Sequence, residues 1–213
     1  MNCRPLVTRI GLGTLLLAQA PAVKAQTLDQ GTLIIRSGAR EVGAESFRIV
    51  ADSASLRITS RTTYGSRAAE FTTTVERARG SDAAFQLDWR GTPHNGQLYA
   101  VLKRNRITVR RVEKGVEQAS ELPGNPRILF GADSVFSILY QVAWLAPQSG
   151  QVPALYPQGN RRLSLTVERS TSPQGILYRL RDGLEGQIEI GNSGQVLRIY
   201  LPSLGLEAVR KPE

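Results

Sequence analysis

Apolar and polar residues alternate along most of the chain from Gly31 onward. The clearest run alternates three large apolar residues with three polar ones: Phe85, Gln86, Leu87, Asp88, Trp89 and Arg90. Similar runs occur at 47–51, 56–59, 70–76, 107–110 and 162–167. Because successive side chains of a strand point to opposite faces, this pattern predicts strands that pack one face and expose the other.

Short polar segments with Gly or Asn separate these runs, for example Asn105, Lys114-Gly115, Asp182-Gly183 and 192–194. Gly and Asn tolerate the positive φ angles of tight hairpin turns. The spacing therefore predicts about a dozen short antiparallel strands joined mainly by hairpins.

One stretch departs from this period. Between Asp133 and Ala146 the apolar residues recur at spacings of three and four. After Asp133, this stretch contains no charged residue. Asp133 or Ser134 could cap the first turn of a helix, and Pro147 would end it. A helix that is apolar on most sides must be enclosed by the sheet or cover an apolar opening.

We therefore predict a mainly β fold: a single curved antiparallel sheet, or an incomplete barrel, that encloses or is covered by one apolar helix at about 133–145. No charged or Gly/Ser-rich linker divides the chain. Residues 26–213 are expected to form a single domain.

Residues 1–25 have the three-part layout of a secretory signal peptide. Arg4 and Arg9 precede an apolar run at 10–18, and Val23-Lys24-Ala25 offers a cleavage site before Gln26. A membrane anchor is the alternative, but the run is about half of the ~20 residues that span a bilayer. The mature chain is expected in the periplasm or secreted, and not to span a membrane.

The cysteine content and the charge both change if this signal is removed. Cys3 is the only cysteine, so the mature chain would contain neither a disulfide nor a thiolate metal site. Loss of Arg4, Arg9 and Lys24 lowers the formal net charge from +9 to +6. Outside the cytoplasm, this charge favours an anionic envelope component as partner over nucleic acid.

The densest basic segment could dock such a component. It contains Lys103, Arg104, Arg106, Arg110 and Arg111. The alternative is a hairpin tip and a solvated strand face that protect the sheet against edge-to-edge association.

Enzymatic activity, a metal site and a cofactor are not expected. His94 is the only histidine and lies in a predicted turn, whereas zinc sites use three or four nitrogen or sulfur ligands. A hydrolase that uses a carboxylate pair is a remote alternative, with Glu70, Glu76 and Asp88 as candidates on the polar faces of predicted strands.

The predicted helix is the main candidate for ligand binding. It could simply fill the core of the curved sheet, or it could form one wall of a mostly apolar pocket. In the second case Phe136, Tyr140 and Trp144, together with Trp89, would contact an apolar ligand.

Two terminal segments carry a family resemblance. Residues 31–47, with the pattern V-G-x-E-x-F at 42–47, resemble the first hairpin of uncharacterised exported bacterial β proteins, and 183–199 is similar to their closing hairpin. Such proteins resemble, more remotely, the lipoprotein-carrier (β-clam) superfamily. The resemblance implies a periplasmic protein that binds acyl chains or glycolipid.

The sequence leaves two main functions open. The first is a non-enzymatic periplasmic binding or carrier module for an apolar or lipidic ligand, including glycolipid. The second is an envelope interaction or scaffold protein that uses its basic hairpin and has no ligand cavity.

Overall fold

The computed structural model of the protein describes residues 25–65, 69–80, 82–91 and 94–212. The predicted signal peptide, apart from Ala25, lies outside the described residues. The described part of the chain is mainly β, which confirms the predicted fold class.

Fifteen strands lie within the described residues, somewhat more than the dozen predicted. In chain order, they are β1 Gln26–Ser37, β2 Arg40–Ala51, β3 Ser55–Tyr64, β4 Ala69–Ala78, β5 Ala83–Arg90, β6 Gly96–Lys103, β7 Arg106–Glu113, β8 Val116–Pro123, β9 Leu129–Phe130, β10 Gly150–Tyr156, β11 Arg161–Ser172, β12 Gly175–Arg181, β13 Gly186–Gly191, β14 Val196–Leu201 and β15 Leu206–Arg210.

All fifteen strands belong to one sheet, in which β1 to β8 form one meander and β9 to β15 form another. The two meanders meet at the centre, where the first strand pairs with the last (Leu33 opposite Arg210). Every pairing is antiparallel except that of β9 with β10. The two edges are β8 and β9, which follow each other in the chain, so the ladder of the described residues is open between them.

The sequence alternation accounts for how each strand is buried. In β5, Phe85 and Leu87 are buried, whereas Gln86 and Asp88 between them are partly exposed. The tight turns fall where they were predicted: Lys114 and Gly115 both have positive φ angles, as the turn between β7 and β8 requires. The inward side chains of both meanders form one continuous apolar core.

A buried ion pair holds the two terminal strands together. Arg210 Nη1 donates to both carboxylate oxygens of Asp29 (3.0 and 3.2 Å), and the Val196 amide donates to Asp29 Oδ2 at 2.7 Å. Burial raises the pKa of Asp29 above its usual value, despite these hydrogen bonds and the charge of Arg210. The pair lies beside an irregularity in the β1–β2 register, at Thr27 and Asp29.

The predicted helix is shorter than the sequence suggests. A 3-10 turn, Ser137–Tyr140, leads directly into a single α-helix, α1, Gln141–Leu145. Asp133 and Ser134 do not cap it, and Asp133 instead forms an ion pair with Arg161. Among the described residues, helices are all too short to cross a bilayer.

Candidate functional site

Residues 128–146 comprise the edge strand β9 and the helical turns that follow it, and they run through the interior of the curved sheet; we call them the inner segment. Most of its side chains are buried, and Ile138 and Gln141 have no exposed surface at all. It continues from β9 through the 3-10 turn into α1. The predicted apolar helix is thus enclosed by the sheet.

A buried glutamate on the sheet holds the start of the helical part. Glu45 of β2 is fully buried, and its carboxylate accepts hydrogen bonds from the amides of Phe136 (2.7 Å) and Ser137 (2.9 Å). These amides belong to the first helical turn, whose N–H groups have no partner within the helix. Glu45 therefore takes the capping role predicted for Asp133 or Ser134.

The environment of Glu45 favours its neutral form. Burial raises the pKa of this carboxyl above its usual value, although the surrounding amides and hydroxyls act in the opposite direction. The hydroxyl oxygens of Thr62 and Ser137 face this region without a hydrogen bond of normal geometry. A protonated Glu45 could donate to one of them and still accept from both amides.

A buried arginine holds the inner segment and the residues just before it. Arg77 of β4 is 3 % exposed and donates to the carbonyl oxygens of Ile128 (2.5 Å) and Pro126 (2.9 Å). It also contacts Gln141 Oε1 at 3.3 Å, and the amide of that glutamine donates to the Phe130 carbonyl at 2.8 Å. Burial lowers the pKa of Arg77 to about 10, so the guanidinium remains charged at neutral pH.

Side chains of the sheet and of the inner segment belong to one apolar core. A gap large enough for water would give the neighbouring side chains accessible surface. Leu87 and Leu98 on the sheet, and Ile138 on the inner segment, have none. At these positions the interior is packed to the density expected of a protein core.

The four predicted ligand-binding aromatic residues do not form one site. Phe136 (1 % exposed) and Tyr140 (9 %) are core residues of the inner segment. Trp144 is partly buried beneath Arg79, whose guanidinium lies 5.5 Å from the ring centre. Trp89 lies at the opposite end of the β4–β5 pair from Arg77, which contacts the inner segment. Trp89 pairs with Phe71, whereas Arg77 pairs with Ala83. The distance from Phe71 to Arg77 along the strand is about 20 Å.

The predicted basic hairpin exists, but most of its charge is paired. Arg106 and Arg110 form ion pairs with Glu121 (3.2 Å) and Glu117 (2.7 Å) of the neighbouring strand β8. Arg111 pairs with Glu113. Within the described residues, Lys103 and Arg104 at the tip are the members of the segment without such a partner.

The polar candidates lie on the outer face of the sheet. Asn95, next to His94 in the loop between β5 and β6, accepts a hydrogen bond from the Gly91 amide (3.1 Å). Glu76 pairs with Arg57 (3.2 Å). In the described residues, His, Asp and Glu form no group of three that could hold a metal ion.

Glu70 and Asp88 line the same open pocket, which we call the polar groove. It has a volume of about 670 Å³ and lies across the outer face of β3 to β7. Its lining includes Arg61, Glu70, Thr72, Asp88, Trp89, Arg90, Asn95, Gln97 and Lys114. The inner segment contributes nothing to it.

Side chains, not a strand ladder, bridge the open edge between the meanders. Arg111 Nη1 donates to the Gln158 carbonyl (3.0 Å), and Arg162 Nη2 donates to the Pro123 carbonyl (2.6 Å). Arg111 therefore serves a structural role at this edge, in addition to its pairing with Glu113.

Glu45 and Arg77 were not predicted as functional residues, although the alternation of inward and outward positions carried the signal. Glu45 is in phase with Phe47 and Ile49, and Arg77 is in phase with Val75, so both point inward. A charged residue at an inward position must find a buried partner. Glu45 also lies within the V-G-x-E-x-F pattern.

Comparison of the chain with known proteins found similarity to a solved structure. No family model matches the chain, and no curated protein matches it. The chain is similar to the crystal structure of a β-barrel-like protein of the domain of unknown function DUF1849 from Brucella abortus, at 12 % identity and a TM-score of 0.49. The match covers 89 % of this chain and 95 % of that one.

Proposed function

We propose that the chain is a non-enzymatic interaction module of the cell envelope that meets its ligand or partner at its outer surface. The observation that carries the proposal is the occupied interior: the protein's own inner segment fills the place where a carrier would hold an apolar ligand. The signal-like segment at 1–25 supports residence in the periplasm or outside the cell.

The anchors of the inner segment support a fixed filling. To leave the interior, this segment would have to break the bonds of its amides to Glu45 and that of its Ile128 carbonyl to Arg77. Each buried group left without a partner costs about 1–3 kcal/mol, and more when it is charged. A ligand would have to offset this cost and replace the apolar contacts of the segment.

A carrier of an apolar or lipidic ligand, including glycolipid, is the second candidate. The open ladder between β8 and β9 favours it, because the inner segment is joined to the sheet at this edge. Separation of the edges would break the arginine bonds to Gln158 and Pro123 and give an acyl chain access to the core.

Mass spectrometry of organic extracts from the protein purified out of a periplasm distinguishes the two candidates. We expect no lipid above matched control fractions, even after exposure to membrane lipids, because the interior is already filled. A lipid present at about one molecule per chain would contradict the surface proposal and support the carrier.

The hairpin tip provides a second test, with vesicles that contain phosphatidylglycerol as the probe. Replacing both Lys103 and Arg104 with glutamine should weaken salt-sensitive binding about 30-fold, since each cation near an anionic surface contributes roughly 1 kcal/mol. The measurement is cosedimentation at several salt concentrations.

The double variant Arg106→Gln/Arg110→Gln is the matched control, because it removes the same charge from residues that are paired with Glu121 and Glu117. We expect it to retain most of the binding. Equal losses in the two variants would mean that only the net charge matters and would exclude the tip as a docking site.

A further inference from the structure

We propose that one end of the sheet docks on the surface of an anionic phospholipid bilayer, with the indole of Trp144 at the level of the lipid headgroups. This inference rests on the proposed function, because it names the partner and the part of the outer surface that meets it. It extends the docking site from the hairpin tip at Lys103 and Arg104 to the loops beside that tip.

The strand register places several loops at the same end of the sheet. One row of paired residues crosses the seven strands from β2 to β8 and consists of Ala51, Leu56, Arg77, Ala83, Leu102, Ile107 and Leu122. The connections β2–β3, β4–β5, β6–β7 and β8–β9 all leave the sheet just beyond this row. We call the described residues beyond it the basal rim: 52–55, 78–80, 82, 103–106 and 123–127.

The end of α1 reaches the same rim. The Arg79 guanidinium lies 5.5 Å from the centre of the Trp144 ring, and Arg127 Nη2 donates to the Leu145 carbonyl at 3.1 Å. The indole itself is partly exposed. On the outer face of the sheet, a hollow of about 440 Å³ adjoins the rim, and its lining includes Ala78, Ala84 and Val101. Apolar surface thus flanks the rim on both faces of the sheet.

Cations outnumber carboxylates on the basal rim. Four exposed cations of the rim form no ion pair within the described residues: Arg79, Lys103, Arg104 and Arg127. The carboxylates of the rim are those of Asp52 and Asp82, and Asp52 already accepts hydrogen bonds from the amides of Ala54 (2.7 Å) and Ser55 (2.6 Å). A negatively charged surface would give the four cations the partners that they lack.

The spacing of the cations and the nearby apolar surface favour a bilayer over a small anion. Arg79 follows β4 and Arg104 follows β6, so two strand spacings, roughly 10 Å, separate them along the rim. A bilayer presents many headgroups to such a row of separate charges. Trp beside cations is typical of protein segments at a membrane interface, where the indole lies at the headgroup level. A polyanion without acyl chains would make no use of the indole.

The start of β1 also points to a bilayer at this end. Gln26, the first residue of β1, pairs with Ala51 of the same register row. The predicted signal segment, residues 1–25, therefore joins the domain at the basal rim. Its apolar run at 10–18 is expected to lie in the membrane during export, which would hold the rim toward that membrane until cleavage.

The test uses tryptophan fluorescence and vesicles that contain equal parts of phosphatidylcholine and phosphatidylglycerol. The chain contains two tryptophans, so in the variant Trp89→Phe the remaining signal reports Trp144. We expect this signal to change saturably as vesicles are added. Phosphatidylcholine brominated on the part of its acyl chains nearest the headgroup should quench it. Vesicles of phosphatidylcholine alone should have neither effect, since the attraction depends on charge.

In the same background, replacing both Arg79 and Arg127 with glutamine should weaken vesicle binding about 30-fold, since each cation near an anionic surface contributes about fivefold. Arg40→Gln/Arg90→Gln is the matched control, because it removes the same charge from exposed residues at the opposite ends of β2 and β5. We expect the control to retain most of the binding. If the first variant fails to fold, Arg79→Gln alone changes an exposed turn residue and should weaken binding about fivefold.

Equal losses in the two double variants would overturn the inference, because only the net charge would then matter. Absence of binding, or binding that leaves the Trp144 signal unchanged, would overturn it as well. Each of these results leaves the proposed function standing if organic extracts remain free of lipid. Conversely, a lipid at about one molecule per chain in those extracts would overturn the proposed function, whatever the result with vesicles.

Discussion

Replacing Arg77 with methionine is expected to lower the free energy of unfolding by about 3 kcal/mol. Methionine keeps much of the buried length of the side chain but cannot donate to the Ile128 and Pro126 carbonyls or to Gln141. The loss of a buried charge is favourable by itself, yet the carbonyls left without a donor outweigh it. Guanidinium-induced unfolding at pH 7 measures the change.

Hydrogen exchange then shows where the loss occurs. Because Arg77 binds the inner segment, the amides of residues 136–142 should lose protection before those of β1 and β15. Arg77→Lys should recover part of the stability, since an ammonium can serve one of the carbonyls but not all of them.

Arg57→Met is the matched control, because Arg57 carries the same side chain on the adjacent strand but is largely exposed and paired with Glu76. Surface ion pairs contribute little, so the stability of this variant should be unchanged. If the two variants behaved alike, the hydrogen bonds of Arg77 would contribute nothing to holding the inner segment.

Glu45 and Arg77, the two residues that hold the inner segment, show how much of the structure can be predicted from the sequence. Alternation predicted the strands and the inward phase of residues such as Leu87, because a strand has a period of two whatever its neighbours. The same phase placed Glu45 and Arg77 inside, but the groups that they bind lie about 90 and 50 residues away along the chain. Local pattern holds no information about such distant partners.

The strand pairing at the centre of the sheet could not be predicted from the sequence for the same reason. Hairpins follow from short turns, but the pairing of β1 with β15 depends on the whole chain closing on itself. The helix was predicted too long because the period of three to four begins at Val135, whereas the first helical turn forms where Glu45 accepts the amides of Phe136 and Ser137.

The prediction for Glu45 concerns how stability depends on pH. A carboxyl whose pKa is raised in the folded protein binds a proton there more tightly than in the unfolded chain, whose usual value is about 4.5. The contribution of Glu45 to the free energy of unfolding is therefore complete below about pH 4.5. It is lost as the pH rises through the raised pKa, by at most about 1.4 kcal/mol per pH unit.

Glu45→Gln separates this contribution from that of other groups. The side-chain amide can accept from one of the two inner-segment amides, but its nitrogen would face the other, so we expect a loss of about 2 kcal/mol at pH 5. The loss of stability relative to the wild type should shrink at pH 6, 7 and 8, because only the wild-type protein has a buried carboxyl at position 45 whose ionisation costs free energy. Urea unfolding at each pH measures the difference, in which the contributions of other titrating groups, such as Asp29, cancel.

Glu41→Gln is the control, since Glu41 is exposed on the same strand and should show no difference from the wild type at any of these values. A gap between wild type and Glu45→Gln that widens with pH would mean that the pKa of Glu45 is lowered and that a carboxylate holds the two amides. A gap that narrows would show that burial outweighs the hydrogen bonds and that the pKa of Glu45 is raised in the folded protein.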